Sequence, residues 1–321
     1  MCSHSGIDCL ASKFVFKIKT LEGIEQMKTL HGIIPPVVTP FLPTEELDEN
    51  ALRREVRFLL DANVHGISFG GSTGEGALLS DDELARGIKI IQEENSEKVP
   101  VLGGIIRNST RDAVQAGLAV KRAGADVLMV TPPYYFGAFD DGNLEFYATL
   151  AEKVELPIVI YNVIQNNTIS PQLMEKLGAI ELVVGVKQSC GGIHALADMI
   201  AACGDKTLVF AAQDDLLFVS YMLGSVGAIA AILSLFPELC VKQWNAVQSS
   251  DLKVAKEIHE RMLPVWRKIE GKAFPGKIKA ALNLMGRRVG IARSPIGEPP
   301  KKVIDEIRQK LGKQNFIQSP G

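Results

Sequence analysis

Lys187 directly follows the apolar run Leu182-Val183-Val184-Gly185-Val186, so its Cα belongs to a buried strand. A lysine there reaches solvent from the strand end, bridges to a carboxylate such as Asp214, or has its pKa lowered by desolvation. The last case is the chemically useful one, because only a neutral amine attacks a carbonyl to form an imine. Position alone leaves these readings open. Tyr161 closes the preceding run, Ile158-Val159-Ile160. Its phenol is either a core hydroxyl with a satisfied partner or a proton carrier for a group on the neighbouring strand. The loop Gly70-Gly71-Ser72-Thr73-Gly74-Glu75 offers backbone N–H groups and two hydroxyls to a carboxylate. It is not a phosphate loop, since no Gly-Lys-Ser/Thr follows. Arg107-Asn108, Tyr134-Tyr135 and Gln213-Asp214-Asp215 complete the set. The tyrosines also suit a simple cap on a barrel end, and the aspartates a helix N-terminus.

These residues share one relationship: each stands just after a short apolar, β-branched run. The runs begin near Ile33, Ile67, Val101, Val127, Ile158, Leu182, Leu208 and Ala228, spaced 20 to 34 residues apart. Helical periodicity fills the gaps. Asn50 to Ala62 places Leu52, Val56, Leu59 and Leu60 on one face, and Thr110 to Ala123 places Ala113, Ala116, Leu118, Ala119 and Val120 on another. Small residues or glycines at the joints supply helix C-caps, and Pro100 and Pro157 suit first strand positions. Strands alternating with helices imply a parallel sheet, and eight such units imply a (β/α)8 TIM barrel, with a doubly wound open sheet as the alternative. In a barrel the residues after the strands form one ring at the C-terminal face, where such enzymes work.

Three regions are expected. Residues 1–26 belong to no unit and read as an N-terminal extension, an upstream start or a disordered arm; Met27 precedes the first run. Residues 27–240 form the barrel. Residues 241–321 are a C-terminal helical region, with helices over Leu252 to Ile269, Lys277 to Met285 and from Pro299 to Leu311.

Among 321 residues, 35 basic and 37 acidic side chains leave a formal charge of −2. That balance provides no net field for nucleic acid or an anionic membrane. The five cysteines, Cys2, Cys9, Cys190, Cys203 and Cys240, are scattered without C-x-x-C spacing, which suits a reduced cytoplasm and neither a disulfide framework nor a zinc knuckle. The histidines show no ligand spacing, so no metal is expected. Leu216 to Pro237 carries no charge, but Ser220, Gly224, Ser225, Gly227 and Ser234 interrupt it. It reads as a helix-to-strand break rather than a membrane span.

Taken in order, "GIIPPVVTPF", "GGSTGE", "VTPPYY", "IVIYN", "VVGVKQS", "LGSVGAIAA" and "KAALNLMG" resemble the dihydrodipicolinate synthase / N-acetylneuraminate lyase family over about residues 31–300. The resemblance implies a barrel with C-terminal helices, usually a homotetramer (a dimer of dimers). It also implies a class I aldolase-type lyase that needs no cofactor beyond an imine on its own lysine. Its partners would be a 2-oxo acid such as pyruvate and an aldehyde. Carried over by residue, Lys187 matches the Schiff-base lysine and Tyr161 the proton-relay tyrosine. Ser72 and Thr73 match the pair that binds the 2-oxo acid carboxylate, with Ser72 also in the relay. Tyr135, or Tyr134, matches a tyrosine lent across a dimer interface. The backbone of Ile229 matches a contact to the keto acid.

One departure bears on the second substrate. Lysine-pathway synthases carry Tyr-Asn-Val-Pro-x-Arg-Thr after the fifth strand. Here the chain runs Tyr161-Asn162-Val163-Ile164-Gln165-Asn166-Asn167-Thr168, with Asn166 in the arginine's place. A neutral amide cannot replace a bidentate guanidinium for a carboxylate. The Ser72-Thr73 pair, rather than Thr-Thr, also leans toward lyases and sugar-acid aldolases. The expectation is therefore an aldolase or lyase joining or splitting pyruvate and an aldehyde of sugar-acid type, with Asn166, Asp214, Asn167 and Arg107 near the second substrate. Alternatives are 4-hydroxy-tetrahydrodipicolinate synthase, a family dehydratase or deaminase, and a non-enzymatic keto-acid sensor. Cys190 has no assigned role.

Overall fold

The structure is a computed structural model that describes residues 15–19, 25–96 and 98–318, with side chains from residue 29 onward. Strands β1 (Val15–Lys19) and β2 (Glu25–Thr29) pair antiparallel as a ladder of their own. The other residues of the N-terminal extension, 1–14 and 20–24, lie outside the described residues.

Eight further strands form one parallel sheet. They are β3 (Gly32–Ile33), β4 (Ile67–Phe69), β5 (Val101–Ile105), β6 (Val127–Val130), β7 (Ile158–Asn162), β8 (Val183–Gln188), β9 (Leu208–Ala211) and β10 (Gly227–Ala228). Their spatial order is β3-β10-β9-β8-β7-β6-β5-β4. The two ends of that order meet just past β3. Pro36 bridges Ser68 in parallel, with Val37 N–H donating to Ser68 O at 2.8 Å and Ser68 N–H to Pro35 O at 3.0 Å. This closes the sheet into the expected TIM barrel and excludes the open-sheet alternative. All eight apolar runs become strands, because a barrel strand is covered on both faces and selects β-branched residues throughout.

Two apolar layers result. In the inner one, Ile34, Leu102, Val127, Met129, Val159, Tyr161, Val184, Leu208, Phe210 and Ile229 fill the barrel interior. The outer layer packs Ile67, Ile105, Leu128, Ile160, Val186 and Val209 against the helices.

The expected helices form with small boundary changes: Glu49–Asp61, Thr110–Arg122, Leu252–Ile269, Phe274–Leu284 and Lys301–Lys313. Phe274–Leu284 starts earlier than its periodicity suggests, because proline suits a first helical turn. The uncharged stretch becomes helix Leu217–Met222, a turn at Gly224 with φ +101°, then β10. Among the described residues no helix is long and apolar enough to cross a membrane. Residue 240 falls inside helix Pro237–Gln248, which leads directly into the C-terminal helices.

Candidate active site at the C-terminal end of the barrel

Strand β7 alternates strictly, with Ile158 and Ile160 outside and Val159 and Tyr161 inside. Strand β8 does not. Its register with β7 shifts after Ile158, so that Gly185 pairs with Val159, Val186 with Ile160 and Lys187 with Tyr161. Val184 is an extra residue, and the bulge turns the rest of the strand over. Strict alternation from outward-facing Val183 would aim Lys187 at the helices; the bulge aims it into the barrel beside Tyr161. Gly185 is needed there, since a Cβ would lie 2.8 Å from Leu208 O.

Lys187 and Tyr161 are both buried, and Lys187 Nζ stands 3.6 Å from the centroid of the Tyr161 ring. Among the described residues Lys187 enters no ion pair, so the bridge to Asp214 left open by position is not made. The Tyr161 hydroxyl lies 3.1 Å from Ser72 Oγ, linking β7 to the glycine-rich loop after β4. That loop is tightly folded. Gly70 has φ +80°, and a Cβ on Gly76 would run into Gly70 O. Thr39 Oγ1 donates to Gly74 O, so the segment that follows β3 holds the loop from the other side. Thr73 is buried and Ser72 half-buried at its turn.

Glu75, at the end of the loop, is the anchor that sequence reasoning missed. It is buried and ion-paired at 2.6 Å with buried Lys279 from helix Phe274–Leu284, and it also accepts Arg293 N–H at 2.8 Å. Burial holds the Lys279 amine below its usual range, with Glu75 opposing that shift. The available signal was a lysine inside an otherwise apolar run, with Ile278, Ala280, Ala281 and Leu282 around it.

Asp214 follows β9, and its carboxylate accepts Ile232 N–H at 2.6 Å. Burial pushes its pKa up to about 7, against that hydrogen bond and the pull of Lys187. Asp215 turns away and pairs with Arg267 at 2.8 Å. Ile229 is fully buried just past β10, with its N–H on Ala211 O.

The structure therefore brings Lys187, Tyr161 and Ser72 into contact, with Asp214 in electrostatic reach of Lys187. Tyr135 and Asn166 stand apart from them, at the rim. Tyr135 is 71% exposed. Two amides hold its backbone: Asn108 Oδ1 accepts the N–H groups of Tyr134 and Tyr135, at 3.0 and 2.9 Å. Asn166 Nδ2 donates to their carbonyls, at 3.2 and 3.4 Å. Asn167 donates to Pro133 O at 3.0 Å. Arg107 is occupied by Asp81 at 2.8 Å and by the carbonyls of Leu79 and Ile106. Cys190 accepts Gln188 Nε2 on its carbonyl, and burial raises its thiol pKa. Among the described residues, no group of three or more His, Cys, Asp or Glu side chains is placed to hold a metal ion.

Comparison with known proteins adds to this geometry. The model of the dihydrodipicolinate synthetase family matches residues 29–314. The chain belongs to this family. It shares with it the enzyme class, lyases and synthases of class I aldolase type. A 4-hydroxy-tetrahydrodipicolinate synthase of Methanopyrus kandleri is 33% identical over 298 residues, covering 91% of this chain and 99% of that protein. One of Syntrophus aciditrophicus is 32% identical over 289 residues, covering 89% and 98%. The dihydrodipicolinate synthase of Acinetobacter baumannii, solved with pyruvate, superposes with a TM-score of 0.86 at 27% identity, covering 90% of this chain and all of that one. A prophage protein of E. coli from the same family, also solved with pyruvate, gives a TM-score of 0.86 at 26% identity, covering 89% and 99%.

Proposed function

We propose that the protein joins pyruvate to an uncharged aldehyde to give a sugar-acid-type 2-oxo acid, or splits such an acid, through an imine on Lys187. The contact of Lys187 with Tyr161, and of Tyr161 with Ser72, carries this reading. The Lys187 amine adds to the ketone carbon of pyruvate, and with protons delivered through Tyr161 the oxygen leaves as water, giving a protonated imine. The imine draws electrons from the adjacent methyl carbon, which loses a proton and becomes an enamine. The enamine attacks the aldehyde carbon, the new alkoxide takes a proton, and hydrolysis of the imine frees a 4-hydroxy-2-oxo acid. Cleavage runs the same steps backwards. Tyr161 moves these protons with Ser72 as its relay, and the Ser72-Thr73 hydroxyls and N–H groups hold the pyruvate carboxylate. Ile229 backs the keto acid, Asp214 faces the aldehyde's hydroxyls, and Tyr135 reaches a neighbouring copy in a tetramer. The reaction uses no cofactor beyond the imine, and a cytoplasmic setting suits it.

The uncharged aldehyde is inferred from the rim. The side chain in the family arginine's place, Asn166, is spent on the Tyr134-Tyr135 loop, and Arg107 is spent on Asp81. The names of the relatives favour a second reading, 4-hydroxy-tetrahydrodipicolinate synthesis from pyruvate and aspartate semialdehyde. Borohydride reduction with pyruvate, followed by mass spectrometry, tests the imine. An adduct on Lys187 that is lost in Lys187→Ala is expected, and no adduct with any 2-oxo acid overturns the mechanism. A rate panel of neutral aldehydes against aspartate semialdehyde separates the two readings, the faster class naming the substrate.

A further inference from the structure

A second site lies where the first barrel helix meets the chain after helix Phe274–Leu284. Arg54, Glu55, Phe58, Gly286, Arg287 and Arg288 line a cleft of about 500 Å³. None of them belongs to the group around Lys187. Three guanidinium groups and one carboxylate meet there. Glu55 is already committed: it is buried and gripped by Arg287, whose Nη1 also donates to Ser234 O. The Arg287 guanidinium lies 4.0 Å from the centroid of the Phe58 ring, so the floor is a stacked, ion-paired unit with no spare negative charge.

Arg54 and Arg288 stand exposed at the mouth. Among the described residues neither makes an ion pair or hydrogen bond, although the charge of Arg54 reaches the Glu55 carboxylate. The same helix shows the contrast, since Arg53 pairs with Glu93 and Glu94, and Arg57 with Glu94. Arg288 also adopts a left-handed backbone, φ 52°, a conformation unfavourable for a residue with a Cβ. Like charges gathered around a cleft repel one another, and an anion seated between them reverses that term.

We propose that this cleft binds a phosphate monoester. A phosphate dianion accepts hydrogen bonds from several guanidinium forks at once, and matches the net charge of two that three arginines and one glutamate leave in the cleft. The cleft exceeds the size of inorganic phosphate, and the partly exposed Phe58 ring offers an apolar wall to the organic part. The site is independent of the reaction proposed at Lys187.

Calorimetric titration of the full chain with phenyl phosphate and with inorganic phosphate, at matched ionic strength in chloride, tests this. Saturable binding of phenyl phosphate is expected, tighter than that of inorganic phosphate and at least tenfold weaker in Arg54→Ala/Arg288→Ala. Arg54→Ala alone should weaken it to an intermediate degree. Trapping of pyruvate on Lys187 should be unchanged in both variants. The absence of saturable binding, or binding unaltered by the double substitution, overturns the proposal. Tighter binding of inorganic phosphate than of phenyl phosphate overturns the assignment to a monoester.

Discussion

Lys187 is the register partner of Tyr161 on the adjacent strand, and its amine stands 3.6 Å from the phenol ring. The pairing depends on the extra residue at Val184, which turns Lys187 from the helix layer to the barrel interior. Gly185 permits that bulge, because it passes Leu208 too closely for a side chain. Gly185→Ala is therefore expected to destabilise the fold by about 1–3 kcal/mol and to reduce borohydride trapping of pyruvate in the folded fraction. Urea unfolding, with trapping on the same samples, measures both. Wild-type values for each would show that the bulge does not control the lysine.

Removal of the Tyr161 hydroxyl separates proton transfer from imine placement. Tyr161→Phe keeps the ring beneath Lys187 and loses the 3.1 Å contact with Ser72. A fall in kcat of roughly 10²–10⁴-fold is expected, with pyruvate still trapped. Ser72→Ala should lower kcat less, since the phenol remains. Equal turnover in Tyr161→Phe and wild type would remove the tyrosine from the proton path.

The Glu75–Lys279 pair ties the Ser72-Thr73 loop to the C-terminal helices at a buried point. Breaking it from one side leaves an uncompensated charge, so Lys279→Met should cost about 3–5 kcal/mol. Glu75→Gln/Lys279→Met should recover part of that loss, because neither charge is then stranded. A double-mutant cycle by chemical denaturation measures the coupling, and strictly additive losses would deny it.

The amide clamp on Tyr134-Tyr135 yields a different pattern. Asn166→Ala removes two donors from the loop carbonyls, and Asn166→Asp sets a carboxylate against them. Each hydrogen bond contributes about 0.5–1.5 kcal/mol. On this basis kcat/KM should fall roughly tenfold in Asn166→Ala and further in Asn166→Asp, while trapping on Lys187 is unchanged. Steady-state kinetics with the preferred aldehyde checks the order; an aspartate variant as active as wild type would refute the clamp.

Stability should depend on pH through two opposed groups. Burial, with His31 nearby, holds His65 down to about 4 from an ordinary 6.5, and its Nδ1 accepts Ile33 N–H. The unfolded chain takes up that proton first, so the stability His65 contributes at neutral pH is lost as pH falls from about 6.5 to about 4. Asp214 is raised from 3.8 to about 7, so its contribution is full below 3.8 and lost as pH rises through about 7. The two partly cancel in wild type. His65→Gln should make stability fall with rising pH across this window, and Asp214→Asn should make it rise more steeply than in wild type. Urea midpoints from pH 4 to pH 8 would show it, and three parallel curves would contradict both assignments.

The barrel was legible in the linear chain because its signals are local. A strand covered on both faces needs an apolar run, a helix covering it needs one apolar face, and the joints need small residues or proline. The placement of the candidate set was legible for the same reason: Lys187, Tyr161 and the Ser72 loop each stand at the end of such a run. Side-chain direction was not. One extra residue in β8 reverses which face Lys187 uses, and only the register with β7 reveals it. The fates of Asn166, Arg107 and Glu75 were equally hidden, since their partners Tyr134, Asp81 and Lys279 come from other parts of the chain. Local periodicity determined where the candidate site residues stand in the chain. Tertiary packing decided where they point and which are free to act, because register and buried charge pairing are settled only between segments distant in sequence.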